Sequence, residues 1–152
     1  MGIGGRDTVS AMSETVPSLE SLLADAGLLA RADKVDDHMV RLQWGSAVVL
    51  VGTSGSAVVA LAPLFKELPA GKELALYRKL LEHNAYMGGM ACFAIQPDGW
   101  VVLHSGRAVK GLDGAELATM VAAVGRFADQ YDDQLIAEFY APKKSAEAAP
   151  AS

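Results

Sequence analysis

Three histidines, one cysteine and a few acidic pairs are the residues of this 152-residue chain that could carry chemistry. His38, His83 and His104 form no His-x-His or His-Glu-x-x-His pair, and no cysteine stands at ligand spacing from them. The donor set for a zinc or transition-metal site is therefore short. They read as strand-edge and helix-surface histidines; an enzyme or small-ligand sensor built on them would have to gather its partners from distant parts of the chain. Cys92 lies in the apolar run Met-Ala-Cys-Phe-Ala-Ile. A nucleophilic thiol wants a base and an electropositive, partly exposed setting, so Cys92 reads as a small core residue. Gly52-Thr53-Ser54-Gly55-Ser56 has the glycines of a phosphate loop but not its Gly-Lys-Ser/Thr. It also joins strand to strand, so no helix N-terminus would face an anion, and a hairpin turn is expected. Asp129, Asp132 and Asp133 lack the spacing and glycine of a calcium loop. They are expected on the solvated side of a helix, and Asp36-Asp37 on a solvated approach to a strand. No Gly-x-Ser-x-Gly elbow and no dinucleotide fingerprint occurs. The expectation is a chain without enzymatic activity, metal or cofactor, because its polar groups fall where caps, turns and solvated faces need them.

The elements that would position these residues follow from periodicity. Ser18 suits an N-cap, Leu19, Leu22 and Leu23 follow at helical spacing, and Gly27 sits where a helix would end. From Asp37 the period becomes two: Val40, Leu42 and Trp44 alternate with Met39, Arg41 and Gln43. Gly45-Ser46 suits a type II′ hairpin, 47–52 an inner strand, 53–56 a turn, and 57–62 a third strand ending at Pro63. Residues 72–87 predict a helix with Leu74, Tyr77, Leu80, Leu81 and Asn84 on one stripe, closed by Gly88-Gly89. Residues 90–96 and 100–105 predict a hairpin around Pro97-Asp98-Gly99, with a short strand or arm over 106–110. Asp113 and Glu116 form a capping-box pair, with Leu112 and Leu117 as its staple. They start a last helix whose stripe is Leu117, Met120, Val121, Val124, Phe127, Tyr131, Leu135 and Phe139, with Pro142 as its stop. The order α-βββ-α-ββ(β)-α is that of an α+β domain with helices packed on an antiparallel sheet. The expected organisation is a flexible segment over 1–17, one domain over 18–141 and a disordered tail over 142–152.

Composition narrows the function classes. Apolar residues make up 51% and charged residues 20% of the chain, too apolar for disorder as the main state. No run approaches the roughly 20 uncharged apolar residues of a spanning helix. The net charge of −5 disfavours nucleic acid, which needs a basic face. One cysteine excludes an intramolecular disulfide and fits a reducing compartment. The first residues lack an apolar signal region, and Arg6 stands where a myristoylation signal wants Ser or Thr. Met12 offers an alternative start. A cytoplasmic protein is expected.

The block 74–135 resembles the Tir-chaperone family, the class I type III secretion chaperones. The resemblance rests on Leu80-Leu81-Glu82-His83-Asn84 at a helix end, the apolar strand from Met90 to Ile95 and the Asp98-Gly99 turn. It continues through Trp100 to Leu103, Leu112-Asp113 and Phe127 in the long helix, and the upstream helix and meander extend it to about 18–140. The bacterial sensory-transduction-regulator family, which has the same type of fold, is similar in most of these features. The chaperone resemblance implies a small cytoplasmic homodimer that binds an extended segment of a secreted or regulatory protein without ATP. It implies dimer contacts at Tyr77, Leu80, Leu81 and Asn84, with Met90 and Cys92 beside them, and segment binding at Leu19, Leu22, Leu23, Val40, Leu42 and Trp44. The alternative reading is a regulatory or adaptor domain of this fold that binds a folded signalling partner.

Overall fold

The computed structural model describes residues 15–140. Helix α1 (Leu19–Asp25) starts where Ser18 Oγ accepts the Ser21 amide at 3.1 Å and is followed by Gly27 at φ +72°. After a 3₁₀ turn, Leu29–Arg31, come strands β1 (Asp33–Asp36), β2 (Met39–Trp44), β3 (Ala47–Ser54) and β4 (Ala57–Phe65). Helix α2 (Glu73–Tyr86) precedes β5 (Cys92–Ile95) and β6 (Val101–Ala108). Helix α3 (Gly114–Leu135) runs into one wider helical turn, Ile136–Tyr140. The six strands are antiparallel neighbours in the order β1-β2-β3-β4-β6-β5, so β1 and β5 are the sheet edges.

The α+β architecture and the capped starts of α1 and α3 follow the sequence pattern; Asp113 Oδ1 accepts the Glu116 amide at 2.8 Å. Several details differ. The strand β1 is polar at three of its four positions and exposed at all of them, without alternation, yet it pairs with β2. Residues 106–110 hold no separate strand; β6 continues without a break to Ala108. β4 passes through Pro63 to Phe65 instead of stopping there. The proline is tolerated because the β3–β4 register ends at Leu50 opposite Leu61, and the β4–β6 register shifts between Pro63 and Phe65. The two tight turns are type II′: Gly45 (φ +57°) and Gly55 (φ +58°) are left-handed, while Ser46 and Ser56 are not. The expected helix stop at Pro142 and the tail lie outside the described residues, as does most of the segment before Pro17.

Directly opposed residues share a sheet face. Leu42, Val49, Val51, Val58, Ala60, Ala62, Val101 and Leu103 are all nearly inaccessible and belong to one core with Leu22, Leu23, Leu76, Leu117, Val121, Val124 and Leu135 of the helices. On the opposite face a cross-strand row runs Arg41–Leu50–Leu61–His104–Cys92. Two glycines let the helices approach. A Cβ on Gly114 would lie 2.5 Å from the Asp25 carbonyl carbon, and one on Gly125 would lie 2.3 Å from Cγ of Trp44.

Candidate functional site

Helix α2 buries Leu76 and Leu80 against the core. The anticipated stripe is divided between two faces. Leu74 and Leu81, seven residues apart, point outward at 81% and 69% exposure. Burial follows Leu76, Leu80 and Met87 because α2 lies on β5 at the sheet margin and presents the other flank to solvent. Beside that flank an open groove of about 250 Å³ is lined by Tyr77, Leu80, Leu81, Asn84, Phe93, Ala94 and Ile95. Four of the six residues that the chaperone resemblance puts at a dimer contact are thus gathered in one apolar groove. Asn84 is the sole side-chain amide there, and it is engaged: Oδ1 accepts the Phe93 N–H at 2.7 Å, and Nδ2 donates to the Phe93 carbonyl at 3.3 Å. It satisfies the outward N–H and C=O of Phe93, at one position of the edge strand, as a further strand would there.

Met90 and Cys92 lie apart from this groove. Met90 lines a separate depression with Arg107, Asp113 and Glu116. Cys92 faces away from the core: its Sγ is 3.3 Å from Nε2 of His104, its cross-strand partner on the opposite sheet face. It is a half-buried sheet-face residue and not the core residue expected, because the β5 register turns Phe93 inward. Burial pushes its thiol up, away from the thiolate a nucleophile needs.

A second groove, about 300 Å³, opens between α1 and the first two strands. Its apolar floor is Leu19, Leu23, Leu29, Ala32 and Val40, and its rim Glu20, Lys34, Asp36 and Asp37. Leu19 and Val40, expected at a segment-binding surface, line it half-buried, and Leu23 lies beneath them as a core residue, 1% exposed. Leu22 and Leu42, with them in the sequence pattern, are 2% and 1% exposed and belong to the core. Trp44 packs its ring onto Gly125 of α3, with the Arg31 guanidinium 5.5 Å from the ring centre. The period-two pattern marks the buried face of β2 correctly but cannot tell core from groove wall. The rim residues escape a reading of the sequence because β1 itself does.

Three polar residues differ from their expected setting. His83 is no surface histidine: its ring lies 4.3 Å from that of Tyr131 and 6.1 Å from that of Phe93, with Nε2 buried and unpartnered. Burial, reinforced by Lys79, lowers its pKa. Asp129 is not merely solvated; Oδ1 accepts from the Ser46 backbone N–H at 2.8 Å and from its hydroxyl at 2.6 Å, tying α3 to the β2–β3 turn. Asp132 is half-buried with Oδ1 unpartnered, and burial raises its pKa. No cluster of three His, Cys, Asp or Glu side chains suited to a metal occurs among the described residues, and no helix among them is long and apolar enough to cross a membrane.

Comparison with curated proteins gives no match. Among solved structures, the chain is similar to one in the heterodimeric complex of ExoU and SpcU from the type III secretion system of Pseudomonas aeruginosa. The two are 19% identical, with a TM-score of 0.57 over 76% of this chain and 95% of that one. It is similar to a chain of the ExsC–ExsE complex at 16% identity and TM-score 0.56, over 78% of this chain and 97% of that one. It is also similar to a chain in the Yersinia pestis complex of the type III secretion chaperone SycH with a stable fragment of YscM2, at 18% identity and TM-score 0.51, over 73% and 97%. These likenesses show the fold, a six-stranded antiparallel sheet with helices that matches type III secretion chaperones. A family model, YbjN, described as "Putative bacterial sensory transduction regulator", matches residues 15–137. Built on a type III secretion chaperone-like fold, this chain therefore belongs to the YbjN family.

Proposed function

We propose that this chain is a non-enzymatic binding module of the cytoplasm that pairs with a second copy of itself and holds an extended segment of a partner protein without ATP. The observation that carries this reading is the apolar groove beside α2, where Leu81 (69%) and Ile95 (42%) are exposed with Leu74 (81%) close by on the same helix. Exposed apolar surface of this kind marks a partner site. The Asn84 amide already takes the outward peptide groups of Phe93 in the middle of β5, which favours a contact between copies made by side chains packing over α2 rather than by strand joining strand. The segment then falls to the α1–β1 groove, beside the other sheet edge. Support comes also from the solved relatives, which are complexes of one protein with another.

Sedimentation velocity at micromolar concentration tests the pairing. The unmodified chain is expected as a dimer and Leu81→Asp as a folded monomer, since the charge is buried only in the pair. An unmodified chain that sediments as a monomer removes the dimer from the proposal. The family description, a sensory transduction regulator, favours a second reading in which the partner is a folded signalling protein. Trimming a co-purified partner decides between them: retention of an unstructured stretch alone supports the first reading, and binding that needs the folded domain supports the second.

A further inference from the structure

We infer that the α1–β1 groove selects an extended segment that is cationic as well as apolar. The inference rests on the segment-binding reading above and adds the chemistry of what is bound. Leu19, Leu29, Ala32 and Val40 supply an accessible apolar floor over the buried Leu23, and Leu29 is 38% exposed. Strand β1 forms the outer edge of the sheet, and all four of its residues are exposed. An incoming chain can pair with that edge and turn every second side chain toward the floor.

The rim decides the charge of that chain. Glu20, Asp36 and Asp37 stand against a single cation, Lys34. Lys34 is already committed, its ammonium 2.7 Å from Asp37. Asp36 accepts the His38 amide at 2.7 Å, a bond that holds the carboxylate in place and leaves its charge. The nearby Arg31 turns away, over the Trp44 ring and toward the Gln43 carbonyl at 3.3 Å. With one cation on the rim for three carboxylates, the groove keeps an excess of negative charge beside an apolar floor and an open strand edge. An anionic segment would be repelled there; lysine or arginine flanking the apolar anchors would be held.

The test measures fluorescence anisotropy of a labelled peptide with a central Val-Leu-Val-Leu-Val run flanked by Lys-Lys, beside counterparts flanked by Ser-Ser and by Glu-Glu. The Lys-flanked peptide should bind about tenfold tighter than the Ser-flanked one, with the Glu-flanked one weakest and the spread shrinking in high salt. Glu20→Lys/Asp37→Lys should reverse the order. Glu82→Lys, on α2 at the other sheet edge, should leave it in place although it changes the net charge in the same direction. Equal binding of the three peptides, or loss of preference in Glu82→Lys, overturns the selectivity and leaves segment binding intact. Binding of none of them by the unmodified chain overturns segment binding itself. The peptide series and its salt dependence are measured on the unmodified chain, so the outcome does not depend on the double variant folding.

Discussion

Gly125 invites a substitution whose sign is set by a single neighbour. It lies inside α3, where alanine is favoured over glycine by about 0.8–1 kcal/mol on helix propensity alone. Yet the added Cβ would sit 2.3 Å from Cγ of Trp44 and 2.7 Å from Cδ1 and Cδ2. Ordinary contact would need the surfaces to part by more than about 1 Å. The atoms met are the root of a rigid ring, not a side-chain tip. The Arg31 guanidinium stacks on that ring, and α3 is tied four residues on by Asp129 to Ser46, beside Trp44 in the next turn. Overpacking of this kind costs roughly 1–3 kcal/mol. Gly125→Ala is therefore expected to destabilise by up to about 2 kcal/mol net, up to roughly 4–8 °C in Tm for a chain of this size. In a Trp44→Ala background, which removes Cγ and everything beyond it, the obstacle is gone, and the same change should stabilise by up to about 1 kcal/mol. Urea denaturation followed by far-UV circular dichroism gives all four corners of the cycle. A gain in stability from Gly125→Ala in both backgrounds would refute the claim that Trp44 is the residue requiring the glycine.

Two further outcomes follow from the packing. Asn84→Ala should cost about 1–3 kcal/mol by leaving the Phe93 N–H unpaired. Asn84→Leu, which keeps the volume, should cost a similar amount, and amide exchange at Phe93 should accelerate in both; unchanged exchange would show that the amide does not hold β5. His83 has a folded-state pKa below its ordinary 6.5 through burial and Lys79. The unfolded chain therefore takes up its proton first. The contribution of His83 to stability is full above about 6.5 and is lost as pH falls through the lower folded value. His83→Phe, which keeps the ring against Tyr131, should flatten the fall in urea midpoint between about pH 7 and 5, and an unchanged slope would assign it to other groups.

The layered α+β plan is readable because the signals for it are local. Ser18 and Asp113 cap, Gly45 and Gly55 turn, and Leu117 to Phe139 repeat at helical spacing. What is not readable depends on which neighbour an element meets. Leu74 and Leu80 are the same residue type in one helix, and only the placement of α2 at the sheet margin makes the first a surface residue and the second core. β1 is hidden because an edge strand exposed along its whole length has no need of apolar alternation. The same cause conceals the rim of the α1 groove: Asp36 and Asp37 look like a solvated approach until β1 folds back beside α1. Cys92 turns on one step of register, since in a four-residue strand a single shift exchanges the two faces.

The amide of Asn84 has a bearing on stoichiometry. A sheet with two bare margins can be extended from both sides, and each added chain offers a fresh margin to the next, which is how strands polymerise. Here one margin carries, at Phe93, a side-chain amide that has already taken the place of the next strand's peptide group. A strand joining on that side would first have to displace the amide from Phe93, which leaves β1 the less obstructed margin. On the proposed reading, in which a segment is held by backbone pairing at β1, this asymmetry of the two margins favours one segment to one chain over the growth of a fibre.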